Sequence, residues 1–359
     1  MRGARSGALA VVLVLAAAAC NTGGGGDGGG GTAGPCDPGD KASDSGIGVG
    51  VAFDVGGLGD QSFNDAAKRG LDAAIDAGAV SRADCIEPNA TGSNRDDNVV
   101  LLADEEYELI GAIGFAFSEG IAGIAADYPD TRFAVIDGFA TTIATDADNI
   151  VDLAFKEHEG SYLVGAAAAM TSEAGTIGFL GGQRGTGLIE KFQAGYEAGA
   201  KAINPDIEIL VEYIGDDTTA FNDPTKGEAL SAKMYDGGAY VVYHAAGASG
   251  AGLFQAAVAA DGLAIGVDSD QYLTASPEQQ PHILTSMLKR VDTAMEDVIT
   301  ALAAGTFEPG FKVFGIAEDG IDYSKSNTDL MTPEIIAQLD EFKAGIVDGS
   351  ITVPETPEG

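Results

Sequence analysis

The sequence predicts an α/β protein of parallel sheets covered by helices on both faces. Three observations carry that expectation. From Gly46 onward, near-continuous apolar runs rich in β-formers alternate with segments of helical period, the pattern of strands buried on both faces. The 359 residues suffice for two domains, each with a core. Polar residues and glycines recur at the carboxyl ends of the apolar runs, where such sheets bind ligands.

Taken in order, strands are expected at 47–55, 107–117, 132–138, 176–182, 207–215, 239–247, 263–268 and 282–289, with weaker ones at 83–90 and 150–155. Helices are expected at 62–78, where Ser62 can cap the start, and at 186–203, 223–238, 249–262 and 290–305. The strand-end residues to examine are Asp54, Phe117–Ser118, Asp137, Gly181–Gly182, Tyr243–Gly247, Asp268 and Lys289.

Composition narrows the function. Asp and Glu number 55 against 19 Lys and Arg, a net charge of −36. Phosphate backbones and anionic lipid need basic side chains, so nucleic acid and a basic membrane face are excluded. With 45% hydrophobic residues, the chain is not a disordered acidic one, and 3 Cys make no disulfide scaffold.

Residues 1–19 read as an export signal, with Arg2 and Arg5 before the apolar run Ala8–Ala19. That run is too short to span a bilayer as a mature helix. Cys20 follows small residues, as at a bacterial lipidation site, although Ala17 stands where a larger aliphatic residue is usual and Leu15 lies further back. Residues 20–45, rich in glycine, are expected to be a tether, because such sequence buries too little to offset its ordering entropy. The mature chain is thus expected at the extracytoplasmic face of the cell membrane, held by lipid alone. Cys36 and Cys85 could pair there, since free thiols are uncommon in exported proteins; the alternative is two independent thiols.

Catalytic readings find little support. His158, His244 and His282 sit in no zinc-binding spacing, and neither a metal nor a cofactor is expected. The turn 181–187 (GGQRGTG) lacks the Lys-Ser/Thr of a phosphate-binding loop, because Leu188 and Ile189 follow it. The turn 247–251 (GASGA) resembles a nucleophile elbow around Ser249 but ends in Ala251. Asp54, Asp137 and Asp268 could face one bond as in a glycosidase or serve as acceptors in a binding site. These uses are not separable from sequence.

The segment 49–71, VGVAFDVGGLGDQSFNDAAKRGL, resembles the opening of the basic membrane protein family of ABC-transporter substrate-binding lipoproteins, of the purine nucleoside receptor type. The resemblance rests on Asp54, Gly56–Gly57, Asp60, Ser62, Phe63 and Asn64. It continues through FAVIDG (133–138), YHAAGASGAGLF (243–254), GVDSDQ (266–271) and TSMLKRVD (285–292). It implies a type I periplasmic-binding-protein fold: two doubly wound parallel-sheet lobes joined by a three-crossover hinge, with ligand between them. Crossovers are expected near 138–149, 268–281 and 307–312. Lobe 1 would then be 46–138 plus 269–308 and lobe 2 139–268 plus 309–353, with 354–359 a tail.

The resemblance also implies a ligand set. Phe63 and Tyr243 would sandwich a purine. Asn64 and Asp137 would read the base edge, and Asp268 and Lys289 would hold the ribose hydroxyls as an ion pair that ligand could bridge. Asp54 would complete the cleft floor and Gly247 would allow close approach. Phe117, Phe139 and Phe192 are expected in the core. A monomer that makes and breaks no bonds would then pass its nucleoside to an ABC permease and ATPase. The rivals are a receptor for another small polar ligand, a ligand-sensing lipoprotein that signals without transport, and a hydrolase using Ser249.

Overall fold

The computed structural model describes residues 34–358. The export signal, Cys20 and the glycine run of the tether lie outside the described residues. The strands are β1 (Ile47–Ala52), β2 (Val80–Ile86), β3 (Leu109–Ile113), β4 (Arg132–Ile136), β5 (Ile150–Phe155), β6 (Thr176–Gln183), β7 (Glu208–Gly215), β8 (Val241–Ala245), β9 (Leu263–Asp268), β10 (Ile283–Lys289), β11 (Gly310–Phe314) and β12 (Ile321–Tyr323). The helices are α1 (Phe63–Asp76), α2 (Arg95–Asp104), α3 (Ser118–Ile124), α4 (Ala140–Ile143), α5 (Glu157–Thr171), α6 (Leu188–Ile203), α7 (Pro224–Asp236), α8 (Ala251–Ala260), α9 (Val291–Ala303) and α10 (Pro333–Val347).

They build two six-stranded sheets, ordered β11-β5-β4-β3-β1-β2 and β12-β10-β9-β8-β6-β7. Every pairing is parallel except β10 with β12. This is the two-lobed, type I periplasmic-binding-protein architecture.

The chain passes between the sheets after Phe155, after Lys289 and between Phe314 and Ile321. The crossovers expected near 138–149, 268–281 and 307–312 are therefore corrected, each to a later position. Residues 150–155 pair with β4, 283–289 with β9, and 310–314 with β5. Lobe 1 thus gains β5 and β11, and lobe 2 gains β10. The stretches that looked like crossovers lie inside a lobe: the first carries α4, the second is a loop between β9 and β10, and the third runs into β11. The first is pinned by Asp152 of β5, whose carboxylate accepts from the Ala140 and Thr141 amides at 3.0 and 2.7 Å.

The tether is shorter than expected. Residues 34–45 pack on lobe 1: the Ser43 amide donates to the Val80 carbonyl at 2.8 Å, and Cys36 is buried. Cys36 is joined to Cys85 of β2 by a disulfide, with 5.8 Å between Cα atoms. The C-terminal segment is tied to α6 through Lys191–Glu355 and Lys201–Glu358 ion pairs at 3.7 and 3.2 Å.

In lobe 2, α5 is buried almost all round. It lies so close to α6 that a Cβ on Gly199 would sit 1.9 Å from the Tyr162 carbonyl oxygen. Only glycine permits that approach. Among the described residues no helix is long and apolar enough to cross a membrane, and no group of three or more His, Cys, Asp or Glu could hold a metal ion.

Candidate functional site between the lobes

The carboxyl ends of both sheets face a cleft. Parallel strands aim the residues just past their ends into such a crevice. From lobe 1 come Asp54 after β1, Asp60, Phe63 and Asn64 at the start of α1, Phe115 after β3 and Asp137 after β4. From lobe 2 come Leu188, Ile189 and Phe192 of α6, Phe221 after β7, Ala245–Gly247 at the end of β8, Asp268 of β9 and Lys289 of β10.

Asp60, not Ser62, caps α1. Its carboxylate accepts from the amides of Ser62, Asn64 and Asp65 at 2.9 to 3.1 Å, the donors a helix start leaves unpaired. That frees the Ser62 hydroxyl to donate across the cleft to Asp268 at 2.6 Å. The Ser269 hydroxyl returns a bond to the Ser62 carbonyl at 2.9 Å, and Arg69 of α1 donates to Ser269 at 2.8 Å. The lobes therefore meet in a closed arrangement.

Asn64 lines the cleft with its amide already engaged. Its oxygen accepts from the Asp54 amide at 3.1 Å and its nitrogen donates to Asp60 at 3.0 Å. Asp54 in turn accepts from Arg95 Nε at 2.7 Å and from the Val55 amide at 2.6 Å. Burial pushes the Asp54 carboxyl up, against the pull of Arg95, and likewise raises Asp60 against its three amide bonds.

Lys289, fully buried, lies 2.6 Å from Asp137 and 3.1 Å from Glu157. The expected Asp268–Lys289 partnership is corrected in part. Asp268 takes its direct hydrogen bond from Ser62 and acts on Lys289 only as a nearby charge. Burial raises the Asp268 carboxyl to about 6, opposed by Lys289 and Ser62. Burial depresses the Lys289 ammonium, but Asp137, Glu157 and Asp268 outweigh it and hold the group above its ordinary value.

The aromatic assignments change most. Tyr243 does not reach the cleft. It is fully buried in the middle of β8, its ring 5.2 Å from Tyr196 and 5.7 Å from Phe179, its hydroxyl 3.2 Å from the Ser161 hydroxyl. Strand alternation aims it at α5 and α6, two residues short of the strand end. The lobe 2 ring facing the cleft with part of its surface free is Phe221, set at 6.5 Å and 71° to Phe115 of lobe 1. Phe192, expected only in the core, is buried yet also lines the cleft. Phe117 is core as expected, whereas Phe139 is 38% exposed. Phe115 and Phe221 were missed, though each is an aromatic in a short turn just past a strand.

The nucleophile elbow fails on geometry. Ser249 is fully buried, its hydroxyl donating to the Ala220 carbonyl at 2.8 Å and accepting from the Asp223 amide at 2.7 Å. His244 bonds Gln271 and His282 bonds the Gly262 carbonyl. The glycine-rich turn before α6 fills its own anion site, because Glu190 accepts from the Gly185 and Gly187 amides at 2.6 and 2.8 Å.

Two parallel-sheet lobes closing on a cleft lined by rings, carboxylates and one buried lysine define a solute-binding protein. The chain belongs to the Bmp family, ABC transporter substrate-binding proteins that are PnrA-like, whose model matches residues 47–357. It is 35% identical to the CD4+ T-cell-stimulating antigen of Listeria monocytogenes over 86% of this chain and 88% of that one. It is 31% identical to the ABC transporter nucleoside-binding protein BmpA of Lactococcus lactis, covering 85% and 88%. Among solved structures, an ABC transporter solute-binding protein of Aeropyrum pernix superposes with a TM-score of 0.74 at 27% identity, covering 87% of this chain and 94% of that one.

Proposed function

We propose that this chain binds purine nucleosides between its lobes and presents them to an ABC permease and its ATPase, as a monomer lipidated at Cys20 on the extracytoplasmic face of the cell membrane. One observation carries the reading: part-exposed phenylalanines from both lobes, Phe63, Phe115 and Phe221, share a cleft with Asp137 and with buried Asp268 and Lys289. A flat heterocycle stacks on such rings for about 1–3 kcal/mol per face. A diol can donate to a carboxylate and accept from an ammonium. The carboxylates disfavour a phosphate, so nucleosides fit better than nucleotides. The relative from Lactococcus lactis, a nucleoside-binding protein by name, supports the same ligand class.

Closure brings the second lobe's contacts onto ligand held by the first and so favours the closed form. No bond is made or broken. Isothermal titration of the purified protein with inosine, guanosine and adenosine, and with ribose and arabinose for comparison, tests this. Heat with a nucleoside alone is expected; heat only with a free sugar, or with none of the five, overturns the nucleoside assignment. Mass analysis of the protein from a membrane fraction tests lipidation, which an unmodified Cys20 would overturn.

A further inference from the structure

Glu157 is not accounted for by the cleft. It opens α5, is fully buried and is not among the lining residues. Neither of its oxygens has a hydrogen-bond partner. A buried carboxylate in that condition is unfavourable unless a counter-ion holds it. Its nearest cation is Lys289, 3.1 Å from Oε1, while Lys191 of α6 stands 4.0 Å from Oε2.

The two partners sit at the hinge. Glu157 lies just past the first crossing of the chain between lobes, and Lys289 ends β10 just before the second. Backbone bonds lace the third crossing to both. The Lys156 amide donates to the Phe314 carbonyl at 2.9 Å, and the Arg290 amide donates to the Gly320 carbonyl at 2.9 Å. The Ile316 amide donates to Glu159 of α5 at 2.8 Å. Because α5 packs on β10 within lobe 2, rotation of the lobes leaves Glu157 beside Lys289. Asp137 follows β4 and belongs to lobe 1, so it is carried with that lobe.

We propose that Glu157 is a positioning residue that holds the Lys289 ammonium at the hinge, aimed into the cleft, while Asp137 of the other lobe engages and releases it as the cleft closes and opens. The charged groups facing Lys289 are Asp137 after β4, Glu157 on α5 and Asp268 on β9; Lys191 faces Glu157 from α6. Without Glu157, the open form leaves the ammonium with no carboxylate in contact, and the charged form loses that support.

The ligand arm of the test rests on the nucleoside reading. Adenosine, whose base does not ionise in this range, is titrated calorimetrically from pH 7 to 9.5 against the wild type, Glu157→Gln, Glu157→Asp, Lys289→Met and the Glu157→Gln/Lys289→Met pair. Glu157→Gln is expected to bind about tenfold more weakly at pH 7 and to lose more as pH rises, because its lysine deprotonates sooner. The wild type stays flat, Glu157→Asp retains most of the flat profile, and in the Lys289→Met background the Glu157 substitution has no further effect. A wild-type profile for Glu157→Gln, or losses that add with those of Lys289→Met, overturns the proposal. If the wild type binds no nucleoside, it is the nucleoside reading that fails. The same pair is then read by urea midpoints without ligand, where non-additive losses support the role and additive losses overturn it.

Discussion

Two aspartates and a glycine at the cleft hold left-handed backbone: Asp137 at φ 57°, Asp268 at 62° and Gly247 at 54°. For aspartate that conformation is strained, by roughly 1–3 kcal/mol, and it persists where surrounding structure imposes it. Here it turns each carboxylate from the end of a strand into the cleft. The rings divide by a related geometry. Phe63→Ala and Phe221→Ala are expected to weaken nucleoside binding about fivefold or more each, at about 1–3 kcal/mol per stacked face. Tyr243→Phe should leave affinity unchanged and lower stability by about 1 kcal/mol, for its bond to Ser161. Calorimetric titration and urea unfolding of the three variants check this; loss of affinity in Tyr243→Phe would return that ring to the site. The carboxylates were legible because an acidic residue that ends an apolar run cannot continue into the core, and the strand delivers it to the crevice. Tyr243 was misassigned because alternation along a strand decides the direction of a ring, and composition does not show where the strand ends.

At the scale of elements, what was legible followed period and length. Long amphipathic helices such as α1, α6 and α9 were expected close to where they occur. Helix α5 was not, because it is buried on nearly every side and its alanines and glycines leave no polar stripe to mark a period. Helix α2 gathers Val99, Val100, Leu101 and Leu102 in one unbroken run that hides its period. The crossovers could not be read, since which sheet a strand joins depends on pairing across more than a hundred residues, as when β11 joins β5. The Cys36–Cys85 disulfide makes its own prediction. It closes a separation of 49 residues between the segment before β1 and the edge strand β2. Loop-closure entropy puts its contribution at about 4 kcal/mol. A Cys36→Ser/Cys85→Ser variant should unfold at lower urea by that amount. Its nucleoside affinity should match the wild type, because β2 supplies no cleft residue. Unchanged stability would mean that the loop is already ordered without the bond.

Over the whole molecule, the charge of −36 falls into two populations with opposite consequences. Most acids are exposed and solvated, and their mutual repulsion favours solubility while weakening the compact state. A few are buried: Asp54, Asp60 and Asp268 at the cleft and Glu157 behind it, all with raised pKa values and burial as the leading cause. A carboxyl raised by folding stabilises the native state while protonated and loses that contribution as pH rises. For Asp268 the contribution is complete below its ordinary 3.8 and disappears as pH climbs through about 6. His158 and His244, both lowered to about 4 by burial, oppose this, since their contribution is present above the ordinary 6.5 and fades as pH falls toward 4. Total stability against pH therefore mixes two signs, and a variant is needed to separate them. Asp268→Asn keeps the shape and an acceptor for Ser62 but carries no charge. It should be more stable than the wild type at pH 8 by about 2–3 kcal/mol, following the size of the shift. The difference should shrink below pH 6 and vanish near pH 4, as measured by urea unfolding without ligand. Its nucleoside affinity at pH 8 should fall, because the ligand then meets an amide in place of the carboxylate. A variant less stable than the wild type at pH 8 would mean that Lys289 draws more from Asp268 than burial takes away. The cleft would then be held together by its charges, where the present balance has the closed lobes keep ionised groups in place for a ligand at a cost in stability.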